Sequence, residues 1–96
     1  MAADQAVAQL TAIAVAVEER QPEAAVLKLL RETTTLCERL TAEATAPQLK
    51  TSLAQVQTAA DTWQKVWPRL GSQREFRQAV AREARLWSQR LLAQQA

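Results

Sequence analysis

The chain has 96 residues and a net charge of +2, is rich in alanine, glutamine, leucine and arginine, and holds one glycine and no tyrosine. That usage argues against a sheet protein and fits one helical domain over 1–96, just large enough for its own core. There is no histidine, and Cys37 is the only cysteine, which removes the commonest general base and metal ligand, histidine phosphotransfer, di-iron and haem sites, and any internal disulfide or thiolate cage. A glycine-rich phosphate loop cannot be built from Gly71 alone. The composition therefore predicts a protein that is not an enzyme and carries no cofactor or metal.

The first helix is predicted over 4–20, with Asp4 as N-cap and a stripe of Ala3, Val7, Leu10, Ala14 and Val17. Residues 5–17 are uncharged and about as long as a signal-peptide core. However, Asp4 stands where a basic segment belongs, and Glu18, Glu19 and Arg20 follow at once. The stretch is shorter than the roughly twenty apolar residues that cross a bilayer. The expectation is a cytoplasmic chain with no membrane span.

Gln21-Pro22-Glu23 breaks the first helix, and Pro22 suits the opening of the second, whose missing N–H would be unpaired there anyway. That helix, over 23–44, is predicted to bury Val26, Leu29, Leu30, Thr33, Leu36, Cys37 and Leu40. The β-branched run Thr33-Thr34-Thr35 in its middle permits a slight bend. Cys37, on the apolar side, is expected to be a buried, inert thiol.

Thr45-Ala46-Pro47-Gln48 has the spacing of a capping box and opens the third helix, striped by Leu49, Leu53, Val56, Ala60, Trp63 and Trp67. Almost no loop is left before it. The alternative is one kinked helix joining the second and third, giving a long hairpin that dimerises. Pro68-Arg69-Leu70-Gly71 closes the third helix, with Gly71 as the expected left-handed cap. A second capping box, Ser72-Gln73-Arg74-Glu75, opens the fourth, which is predicted to bury Phe76, Ala79, Val80, Ala84, Trp87 and Leu91. Short connections between long helices predict an all-α, antiparallel up-down four-helix bundle.

Three features bear on function. From Arg69 onward six arginines face only Glu75 and Glu83. At 100° per residue Arg74, Arg77, Arg82 and Arg85 fall within about 140°, opposite the Phe76–Val80–Trp87 stripe. Arginine suits bidentate contact with carboxylate or phosphate, so this face is the candidate for an acidic protein partner, with nucleic acid as the alternative and a merely solvated face as the plain reading. Secondly, Ala8, Ala12, Val15 and Ala16 lie off the stripe of the first helix, where a solitary bundle places charged residues. They are the candidate homo-oligomer face, unless alanine stands there only as a helix former. Thirdly, Trp67 beside Pro68 is either a core anchor or a half-exposed binding hot spot at the tip of the bundle.

Length and helical character resemble the small secreted helical hairpins of the WXG type, but Trp63-Gln64-Lys65 and Trp67-Pro68-Arg69 both lack the glycine, and neither stands in a mid-chain loop. The expected function is a protein–protein interaction module, an adaptor or assembly factor that self-associates.

Overall fold

A computed structural model describes residues 2–95, which form four helices: α1 (Ala2–Glu18), α2 (Glu23–Glu43), α3 (Pro47–Leu70) and α4 (Arg74–Gln95). The 24 residues of α3 make a rod of about 36 Å, and the whole molecule measures 38 × 21 × 16 Å. The helices therefore lie side by side, each running most of the length. α1 packs chiefly on α4 and α2 on α3, with a lesser α1–α2 seam and a slender α3–α4 one. Connections of three or four residues force successive helices to run antiparallel. This is the expected up-down bundle. The single kinked helix fails, because Ala44 (ψ 139°) and Ala46 (ψ 122°) are extended between α2 and α3.

Several helix ends differ from the sequence expectation, each for a local reason. α1 starts before Asp4, which sits in the first turn, where negative charge favours the helix dipole. Ala46, not Thr45, is the N-cap of α3, and its carbonyl accepts the Lys50 N–H at 3.0 Å with no side-chain cap. Pro47 takes the first helical position and holds the residue before it extended, so the start slips by one. α4 likewise starts a residue late for the Ser72 box, the Gln73 carbonyl accepting the Arg77 N–H at 3.0 Å. Pro68 lies inside the last turn of α3 rather than ending it.

The left-handed residue is not the glycine. Gly71 is right-handed (φ −63°, ψ −17°), whereas Arg20 has φ 56°. Beside it, the Gln21 N–H reaches the Ala16 carbonyl at 3.0 Å and the Arg20 N–H the Val17 carbonyl at 3.2 Å. These two bonds are a Schellman closure of α1 with arginine in the place glycine usually takes. Glycine at 71 answers instead to space: a Cβ there would stand 2.5 Å from Trp67 Nε1 and 2.8 Å from its Cδ1.

The core is built on Leu10, Ile13, Val26, Leu30, Leu53, Val56, Trp67, Val80 and Leu91. α1 and α4 also bury small residues, Ala3, Ala6, Ala14 and Ala16 on one and Ala81, Ala84 and Ser88 on the other, and small residues let helix backbones approach closely. Buried hydroxyls are satisfied across helices. Thr33 donates to the Leu29 carbonyl at 2.7 Å and accepts from Gln9 at 3.4 Å, and Ser52 accepts from Gln94 at 2.7 Å. Such bonds fix the register of one helix on the next.

Candidate functional site

The Schellman turn ends α1 beside the N-terminal half of α4. Between them lies an open groove of about 1040 Å³, walled by Arg20, Arg74, Arg77, Arg82 and Arg85 against one acid, Glu18. Val17, Ala81 and Leu86 give it an apolar component, and Leu86, 36% exposed, is one of only two large apolar side chains left exposed among the described residues. The four arginines expected to form one face all reach this groove, but they do not play one role.

Arg77 is not an outward residue. Its Nη2 donates to the Val17 carbonyl at 2.7 Å and its Nη1 to the Gly71 carbonyl at 3.0 Å, while the guanidinium lies 5.7 Å from the Trp67 ring centroid. One side chain thus joins the end of α1, the α3–α4 turn and the last turns of α3. The helical wheel explains the correction: position 77 falls between Val80 and Ala81, and both are buried. Leaving Ala81 and Ser88 out of the stripe placed the buried arc of α4 too far from α1. With Ala81 and Ser88 inside beside the expected Ala84, the arc widens past position 77 and takes Arg77 into it.

Arg85 is already engaged. It grips Glu18 with both Nε and Nη2, the former at 3.3 Å. The hydrogen bond from Arg85 holds the Glu18 carboxyl below the usual carboxylate range, against desolvation and with a lesser contribution from the Arg85 charge. The same pairing raises the Arg85 pKa. Both side chains are about half exposed, so the pair adds little to stability. It shows instead what this wall of the groove does with a carboxylate. Arg74 and Arg82 are exposed, and their guanidiniums have no hydrogen-bonding or ionic partner among the described residues.

Two further expectations need correction. Trp67 is 2% exposed; it meets Phe76 at 5.5 Å between centroids, tilted by 56°, and is covered by Arg77. The absence of a side chain at Gly71 lets the turn fold over the indole, so Trp67 is a core anchor and is not offered to a partner. On α1, Ala16 is 2% exposed and belongs to the core, because the buried arc spreads over Ala6 and Ile13 as well as the predicted stripe. Ala12 and Val15 are half-buried, and Ala8 is exposed.

Sequence reasoning missed Arg20, Glu18 and Leu86 as members of the groove. Leu86 carried a signal, as a leucine off the Phe76–Val80–Trp87 stripe among polar neighbours. Arg20 carried none, since nothing local says that the turn will swing it toward α4.

Elsewhere the chemistry is quiet. Burial pushes the Cys37 thiol up to about 11, which keeps it protonated and unreactive at neutral pH. Among the described residues no three of His, Cys, Asp and Glu come together as a metal site, and no helix is long and apolar enough to cross a membrane. A smaller depression of about 410 Å³ over Arg31, Glu32, Thr35, Leu36 and Arg39 mixes both signs of charge. Comparison with protein-family models, curated proteins and solved structures finds no match, so the role of the groove rests on its own residues.

Proposed function

We propose that this bundle is a non-enzymatic, cytoplasmic interaction module, an adaptor or assembly factor that receives an acidic segment of a partner protein in the groove between α1 and α4. The observation that carries the reading is the pair Arg74 and Arg82, exposed and without partners among the described residues, beside an arginine that already holds a carboxylate. Guanidinium is built for that contact. Leu86 and Val17 add apolar area, which supplies more of the affinity than exposed ion pairs do. Arg77 shapes the wall and leaves the set of binding residues. Self-association through what remains exposed of Ala8, Ala12 and Val15 belongs to the same reading.

Nucleic acid is the second candidate for the same arginines. It is disfavoured because no aromatic ring lines the groove to stack on bases and Glu18 stands inside it. Fluorescence anisotropy with a labelled peptide of mixed glutamate and leucine tests the proposal at about 50 and about 200 mM salt. The expected result is saturable binding that weakens with salt and falls at least about tenfold in Arg74→Glu/Arg82→Glu, with unchanged melting. Equal binding by that variant rejects the groove. A labelled DNA strand that binds more tightly than the peptide replaces this reading with the phosphate one.

A further inference from the structure

We infer that the groove is shaped for an amphipathic helix whose carboxylates stand about two turns apart, and that Glu18 fills a third carboxylate place that only a helix with a further acid one turn on takes over. The inference rests on the acidic-partner reading and gives that partner a conformation and a register.

The conformation follows from what the walls lack. α1 and α4 are helices whose main-chain groups are spent on their own ladders, and no strand exists among the described residues. An extended segment laid between them would find no sheet edge to pair with, and its backbone would lie unpaired against Val17, Ala81 and Leu86. A helix brings its hydrogen bonds with it. The exposed side of α4, flanked by Val17, Glu18 and the Arg20 turn and carrying Ala81 and Leu86, is a ridge on which another helix can pack.

The register follows from α4. Arg74 and Arg82 are eight residues apart, about 12 Å along the axis. A partner helix lying along α4 meets both with acids at i and i+7 or i+8. One turn past Arg82 come Arg85 and Leu86, so position i+11 of the partner faces either an arginine or an exposed leucine. The Arg85 guanidinium is held there by Glu18. A leucine at i+11 covers Leu86 and leaves that pair intact, whereas an acid at i+11 has to displace Glu18.

Three labelled peptides, stabilised as helices, test this. The first has Glu at i and i+8 with Leu at i+11; the second has the same composition with its acids moved to the opposite face; the third has Glu at i+11 as well. The first should bind at least tenfold more tightly than the second and lose that advantage with a proline in its middle. Glu18→Gln should tighten binding of the third peptide several-fold more than binding of the first, with the melting temperature held. If the first and second bind equally well, the helical register is wrong while the acidic-partner reading stands. If Glu18→Gln gains no more for the third peptide than for the first, Glu18 is no place-holder. If none of the three binds, and the mixed glutamate–leucine peptide fails too, the acidic-partner reading itself falls.

Discussion

Arg20 stands at φ 56° where α1 stops, in a conformation that costs a residue with a Cβ roughly 1 kcal/mol and glycine almost nothing. The Schellman bonds around it do not involve its side chain. Arg20→Gly should therefore stabilise the bundle by about 0.5–1 kcal/mol, a rise of a few degrees in melting temperature for a domain of this size. Arg20→Ala, which keeps the Cβ, should melt as the wild type does. The glycine variant also removes one guanidinium from the groove, so it should melt higher yet bind acidic peptide more weakly. Thermal melts beside a binding titration read both, and an unchanged or lower melting temperature would mean the turn relaxes at no cost in the native protein. The contrast with Gly71 shows where sequence reasoning stops at this scale. A glycine near a helix end suggests a left-handed cap, but the constraint at 71 is the Trp67 indole 2.5 Å from where a Cβ would be. Only the folded turn brings the two together.

At the scale of elements, the stripes and breaks in the chain were enough to place four helices and their antiparallel order. Boundaries moved by one or two residues wherever proline or a cap competed for the same position. The larger misreading was the α1–α4 seam. Ala81 and Ser88 look like neutral surface in a stripe analysis, yet they are buried, and with them Arg77 turns from a partner residue into a joint between three elements. Arg77→Met keeps the apolar stem of the side chain and removes two hydrogen bonds from a charged donor together with the stacking on Trp67. The expected loss is about 2–3 kcal/mol, a fall on the order of 10 °C in melting temperature. Hydrogen exchange should quicken at the Arg20 and Gln21 amides, whose acceptors lie in the last turns of α1. Arg82→Met, on the exposed face of the same helix, should leave both measurements as they were. If the two variants melt alike, Arg77 is surface after all.

At the scale of the molecule, charge is divided between the two halves of the chain, with α1 and α2 acidic on balance and the arginines gathered after Pro68. The exposed remainder of the α1 face, Ala8 with half-buried Ala12 and Val15, is apolar in its middle and ends in the exposed acid Glu19, Glu18 being held by Arg85. A parallel two-fold pairing of this face on itself sets Glu19 against Glu19. The apolar middle would drive such a dimer and the acidic end would oppose it, so added salt should strengthen it by screening the repulsion. Capture of an acidic segment in the groove should move the other way. Sedimentation equilibrium at about 100 µM protein, a concentration at which even weak pairing is populated, should show a dimer fraction that grows with salt, and Val15→Glu should abolish it at every salt concentration. A wild type that remains monomeric in high salt removes the α1 face from the proposal and leaves the groove untouched. The two surfaces share α1 but answer ionic strength in opposite senses, so one salt series on the same sample separates them.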